Sequence, residues 1–145
     1  MADKLTAEHR STLMKSVKQR NTSPEIAVRR ALHSLGYRFR LHRKDLPGTP
    51  DLVLPRYRLV IFVHGCFWHR HPDCKLASTP KSNAEYWLPK FEANVERDAR
   101  KEAALRERGW RVEIIWECET RDHSKLIRQL QTLINPSIVQ VDNRA

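Results

Sequence analysis

At 145 residues and 40% hydrophobic content the chain is sized for one domain with a real core, one that buries roughly two-thirds of its unfolded surface. Lys and Arg outnumber Asp and Glu by 27 to 17, and the resulting +10 is spread along the length rather than gathered in a tail. Such a field favours polyanions, nucleic acid first, with a cationic solubility surface or a ribosome-associated protein as the bland alternative. No apolar stretch approaches the roughly 20 residues of a membrane span, and Met1-Ala2-Asp3-Lys4 opens no apolar signal segment. A cytoplasmic protein without membrane attachment is expected, and three cysteines cannot all pair with one another.

Residues 1–20 read as a polar, basic arm or short helix with Leu13, Met14 and Val17 as a narrow apolar stripe. Ser23 as N-cap, Pro24 at the first helical position and Glu25 in the first turn then start a helix. Ile26, Val28, Ala31, Leu32 and Leu35 carry it to Gly36. Tyr37 to Leu41 alternates like a half-buried strand, Leu46 to Pro50 turns, and Asp51 to Leu54 forms a second strand. Pro55-Arg56-Tyr57 turns again, and Leu59 to Val63 is apolar throughout, as a strand covered on both faces should be.

After a loop and a polar connection, a helix spans about Tyr86 to Arg108, with Pro89 expected in its first turn because deeper inside it would kink the helix. Gly109 ends it, Trp110 to Trp116 is a strand, and Ser124 caps a last helix that stops at Asn135-Pro136. Residues 136–145 are left as a tail. The order α-β-β-β-α-β-α predicts a single α/β domain over 1–145, with a central mixed sheet of about four strands flanked by helices. Strand 59–63, the long helix and strand 110–116 form a βαβ unit, so both strands end at the same sheet edge. Cys66 and Cys118 lie just beyond those two ends.

The loop His64-Gly65-Cys66-Phe67-Trp68-His69-Arg70-His71-Pro72-Asp73-Cys74 is crowded with metal-type ligands and two bare aromatics. Cys66, His71, Cys74 and the distant Cys118 make a Cys3His set of the kind structural zinc prefers. Binding the ion would supply folding energy to a loop with little apolar material of its own. Ordinary buried cysteines are the alternative, and His69 rivals His71 as the nitrogen ligand; spacing leaves both open.

Phosphodiester cleavage needs activated water, charge neutralisation and a proton for the leaving oxygen. Asp51, rigidly mounted after Pro50, is suited to a hard cation such as magnesium, with the Val63 carbonyl as a further oxygen ligand. His64 and His69 are candidates for base, acid or phosphate contact, and Glu25 could reach the cation's water. Singly these signals are weak: Pro-Asp is usually a turn, and a first-turn Glu is ordinary dipole matching.

Together, the chain resembles the very-short-patch-repair (Vsr-type) DNA mismatch endonucleases, relatives of the PD-(D/E)XK nucleases with a restriction-endonuclease-like fold. The resemblance runs from about Ser11 to Ile134. It is carried by Arg10-Ser11 with Met14, Thr22 with Glu25, Leu46-Pro47-Gly48 with Pro50-Asp51, and Phe62 through His69. Trp87, Asn94 through Asp98, Gly109 through Val112, and Trp116-Glu117-Cys118 complete it. The Gly65-Cys66-Phe67-Trp68-His69 run is the most specific part.

The resemblance implies a nick 5′ of the thymine in T·G mismatches left by 5-methylcytosine deamination. It implies Mg2+ at Asp51 and Val63, with His64, His69 and Glu25 at the scissile phosphate. Structural Zn2+ would lie at Cys66, His71, Cys74 and Cys118. Phe67, Trp68 and Trp87 would enter the duplex beside the mismatch, and Met14 would grip the opposite groove. A monomer on double-stranded DNA in the bacterial nucleoid is implied, with mismatch-repair proteins as candidate partners. The chain departs from the pattern at Thr49, where relatives often carry a basic residue, and at Pro89 behind Trp87. The acidic and lysine residues of the wider nuclease pattern are missing near Phe62 and His64. A restriction-like endonuclease of the same fold and a non-catalytic zinc-stabilised DNA-binding protein are the competing readings. A zinc deaminase is disfavoured, because no His-x-Glu accompanies a Pro-Cys-x2-Cys.

Overall fold

A computed structural model describes residues 22–80 and 82–135; the expected arm, Met14 and the tail lie outside them. The element order is α1 (Ser23–Ser34), β1 (Arg40–Leu41), β2 (Leu52–Leu54), β3 (Leu59–His64), α2 (Ala84–Glu107), β4 (Arg111–Trp116) and α3 (His123–Ile134), with short 3-10 turns between. The strands form one mixed sheet in the order β1-β2-β3-β4. β1, β2 and β3 pair antiparallel, and β3 and β4 pair parallel, ending with His64 opposite Trp116. The fold class and the βαβ unit expected from the sequence are both present.

Strand parity sorts the core into two halves. Leu59 and Ile61 of β3 join Leu52, Leu54 and Ile115 beneath α1 (Val28, Ala31, Leu32) and α3 (Leu126, Leu130, Ile134). Val60 and Phe62 point the other way, with Val53 and Val112, against Leu105 of α2. Successive strand side chains alternate faces, so a strand apolar at every position must be covered twice. Each fully buried Leu or Ile contributes about 1.5–3 kcal/mol relative to exposure.

Several boundaries differ from the sequence expectation for local reasons. Thr22, not Ser23, caps α1: its hydroxyl accepts the Glu25 N–H at 3.4 Å. Asp122, not Ser124, caps α3, accepting the Lys125 N–H at 3.1 Å. Either residue type satisfies an orphan amide of the first turn, so position, not identity, decides. The strand expected over 37–41 shrinks to Arg40–Leu41, because β2 offers only Val53 and Leu52 as partners. Tyr37 and Phe39 pack on the α1 side of the core instead. Helix α2 starts at Ala84, so Pro89 stands beyond the first turn, and the helix still runs to Glu107.

Candidate active site

Because β3 alternates, His64 continues the row of Val60 and Phe62 and emerges on the α2 side at the end of the strand. It is buried, 5% exposed, and its Nδ1 has no hydrogen-bond partner among the described residues. Burial, reinforced by the charge of neighbouring His69, pushes its pKa down to about 3, so the ring is neutral at physiological pH. His69 stacks on it, ring centroids 3.9 Å apart and planes 8° from parallel. His69 Nδ1 in turn lies 2.6 Å from Asp98 Oδ2, on α2. Burial pushes the Asp98 carboxyl up, but the hydrogen bond and charge of His69 outweigh it and hold the group below its ordinary value. The result is an ionised carboxylate, an imidazole it orients, and a second, neutral imidazole stacked alongside.

Asp51 sits at the mouth of β2, and its Oδ2 accepts the Val63 N–H at 2.7 Å. Removal from water pushes the carboxyl up to about 6 despite that hydrogen bond, with the nearby Glu25 charge adding to the shift. Glu25, 2% exposed, reaches in from α1; its Oε1 takes Arg29 Nη2 at 2.7 Å and faces His42 Nε2 at 2.5 Å. One oxygen or nitrogen from each of Glu25, His42 and Asp51 falls within 4.8 Å of the others. A buried carboxylate, a half-buried carboxylate and an imidazole at that spacing can hold a divalent cation.

Beyond the strand ends, Cys66, His71, Cys74 and Cys118 bring their donor atoms within 4.8 Å of one another. His71 Nδ1 stands 3.6 Å from Cys66 Sγ and 3.4 Å from Cys118 Sγ. Sulfur and nitrogen sharing a tetrahedral ion at zinc distances stand roughly 3.6 Å apart. The Cys3His cluster could therefore hold zinc, and of the two rival histidines it is His71 that turns to the thiols while His69 turns to Asp98. Burial pushes the Cys66 thiol up to about 12 and raises Cys118; the Leu76 backbone amide is the main cause lowering Cys74. A bound cation reverses that protonation by competing for the sulfurs.

The two centres touch through one residue. Trp116 packs its indole flat on His71, at 4.3 Å and 11°, and edge-on to His64 at 5.3 Å. The backbone N–H of Cys66 also donates to Glu117 at 3.2 Å, tying the loop to the end of β4.

The aromatics of the loop gather over α2. Phe67 packs edge-on against Trp68, Trp87 and Phe91, with centroids 5.2–5.8 Å apart. Phe67 and Trp68 are half-buried, whereas Trp87 is 6% exposed and lies underneath. The Asn94 side chain donates to the Trp68 carbonyl at 3.2 Å. The Arg70 guanidinium lies 4.1 Å over Phe91 and donates to the carbonyls of Phe67, Ala77 and Ser78, closing the loop. The expected aromatic residues are thus together and beside the histidines.

Spacing alone gives no reason to select Asp98 or His42, yet both belong to this constellation. For Asp98 a signal existed: it shares the helical face of Trp87, Phe91 and Leu105, and a carboxylate on an apolar stripe needs a partner. His42 lies in a loop with no periodicity, and only the tertiary structure brings it to Glu25.

Residues 2–76 match the family model described as DNA mismatch endonuclease Vsr. The chain is 58% identical over 137 residues to "Type II nicking enzyme V.XorIIP" of Xanthomonas oryzae pv. oryzae, covering 94% of this chain and 100% of the relative. It is 44% identical over 132 residues to "DNA mismatch endonuclease Vsr" of Escherichia coli, covering 91% and 84%. In fold it is similar to "Homing Endonuclease I-Bth0305I Catalytic Domain", with a TM-score of 0.53 and 24% identity over 77% of this chain and 93% of that one. No helix among the described residues is long and apolar enough to cross a membrane. On these matches the chain belongs to the Vsr family of DNA endonucleases.

Proposed function

We propose that this endonuclease nicks one strand of duplex DNA 5′ of the thymine in a T·G mismatch, working in the cytoplasm on chromosomal DNA. The observation that carries the reading is the shared rim: Asp51 on Val63, His64 stacked on His69, and the aromatic loop anchored beside them by the Cys3His cluster.

The cation site is formed by the Asp51 carboxylate with Glu25 close by, and its acidic donors suit Mg2+. A cation bound there supplies charge neutralisation at the phosphate and activation of water. Asp98 accepts the Nδ1–H of His69 and so keeps Nε2 as the nitrogen that exchanges a proton at the scissile phosphate. His64, neutral and with its buried Nδ1 unpartnered among the described residues, offers a hydrogen bond to the phosphate without adding a positive charge of its own. Zinc at Cys66, His71, Cys74 and Cys118 is structural, with no vacant position for chemistry.

Phe67 and Trp68, with Trp87 beneath, are the rings that enter the duplex, and Met14 belongs to the arm that would close on the other groove. Unstacking a base step costs a few kcal/mol and least at a mismatch, so inserted rings select the damaged pair energetically. Most of the Lys and Arg excess contacts phosphate and carries no sequence information.

The test is a labelled duplex carrying a single T·G pair beside its fully paired counterpart, with Mg2+ present. A single nick in the mismatched duplex only, abolished by Asp51→Ala with binding retained, is the expected result. The names of several relatives as type II nicking enzymes support a second reading, in which a paired recognition sequence is nicked. Equal cutting of both duplexes selects that reading, and binding without cutting selects a DNA-binding protein.

A further inference from the structure

His42 follows β1 in a left-handed backbone conformation, φ 46°. Residues other than glycine adopt it at a cost, and such positions cluster where function holds them. Its backbone N–H bonds the Asp51 carbonyl at 3.3 Å, extending the β1–β2 pairing by one step. The imidazole is therefore fixed beside the residue whose carboxylate faces Val63, and its Nε2 lies 2.5 Å from Glu25 Oε1.

Three donors from three separate segments, a helix (Glu25), a loop (His42) and a strand mouth (Asp51), thus lie within 4.8 Å of one another. Ligands that share an ion at about 2.1 Å stand roughly 3 Å apart when adjacent and roughly 4 Å when opposite. An ion pair between Glu25 and His42 alone explains the short contact. It does not explain why the strained backbone places the ring against Asp51 as well.

From this geometry we infer that His42 is a nitrogen ligand of the divalent cation held by Asp51, making the site carboxylate–imidazole–carboxylate rather than all-oxygen. The inference rests on Asp51 being a cation ligand. Its chemical consequence is a site that favours Co2+ over Mg2+ more than oxygen donors alone would, since imidazole suits the later first-row transition metals.

The probe is Mn2+ alone, added to the zinc-loaded full chain without DNA and read by pulsed electron paramagnetic resonance. The wild type is expected to show the coupling of a directly ligated histidine nitrogen, changing on 15N-histidine labelling. His42→Gln should lose that coupling and bind Mn2+ at least about tenfold more weakly. Asp51→Ala should lose Mn2+ binding at the site. Absence of histidine coupling in the wild type, a readout that needs no variant, overturns the inference. An unchanged spectrum and affinity in His42→Gln does the same, while the role of Asp51 stands if Asp51→Ala abolishes binding. Mn2+ bound by Asp51→Ala as by the wild type instead removes the reading on which the inference rests.

Discussion

The rings of His64 and His69 lie face to face, centroids 3.9 Å apart and 8° from parallel, so two imidazoles line one small space at the end of β3. Stacked imidazoliums repel, so the pair can carry at most one positive charge comfortably near neutrality. Burial keeps His64 neutral, while Asp98 holds the orientation of the His69 ring through Nδ1. The division of labour between the two histidines follows from their neighbours, not from their own chemistry.

Asp98→Asn keeps the shape of the side chain but can present its amide to His69 Nδ1. Nicking should fall by about a hundredfold, in the range of general acid–base contributions, with folding stability nearly unchanged. The 15N shifts of the His69 ring report the altered tautomer, and full activity with an unchanged tautomer would mean that Asp98 plays no positioning part.

The pH dependence of stability should carry two opposed signatures. The Asp51 carboxyl moves from 3.8 to about 6 on folding, so between those values the folded state binds the extra proton, and stability falls as pH rises. His64 moves from 6.5 to about 3, so the folded state binds fewer protons, and stability falls as pH drops through that window. In zinc-loaded, magnesium-free protein, Asp51→Asn should gain about 2–3 kcal/mol relative to wild type between pH 4 and pH 7. His64→Gln should show the reverse trend. Urea denaturation at the two pH values measures both, and parallel curves would refute the burial of these groups.

Cys118→Ser removes one of the four donors, so it should abolish zinc binding by the cluster and uncouple the loop from β4. Neither core half contains any of the four ligands, so far-UV circular dichroism should change little. Near-UV signals should change strongly, because Trp116 stacks on His71. Stability should drop by about 4 kcal/mol, the linkage expected of a ligand present at a thousand times its Kd. Zinc content by atomic absorption, read with nicking activity, decides the matter; an active, zinc-free variant would contradict it.

Gly48 turns the chain into Pro50-Asp51 at φ +75°, and a Cβ there would meet Lys101 Cδ and Cγ at 2.7 Å. Gly48→Ala should cost about 1–3 kcal/mol and displace Asp51. Lys101→Ala in the same chain removes the contacts at Cδ and Cγ but keeps Cβ at 2.8 Å and leaves the backbone strain, so it should restore only part of the loss. Thermal denaturation of the double-mutant cycle separates the two contributions.

Much of this was legible in the residues themselves. An uninterrupted apolar run at 59–63 dictates a strand covered on both faces, and the α-β-β-β-α-β-α order puts the ends of β3 and β4 side by side. Cys66 and Cys118 could be brought together on that basis alone, as could His64 and the aromatic loop. The cap positions were missed because Thr22, Ser23, Asp122 and Ser124 are chemically interchangeable at a helix start.

What the linear order determined is the framework, since periodicity and strand alternation depend only on neighbours along the chain. What it left open was which imidazole joins the sulfurs, which carboxylate steadies the other imidazole, and that His42 meets Glu25 and Asp51. Those choices depend on side chains from α1, α2 and separate loops converging in space, and only packing of the helices against the two faces of the sheet sets the distances between them.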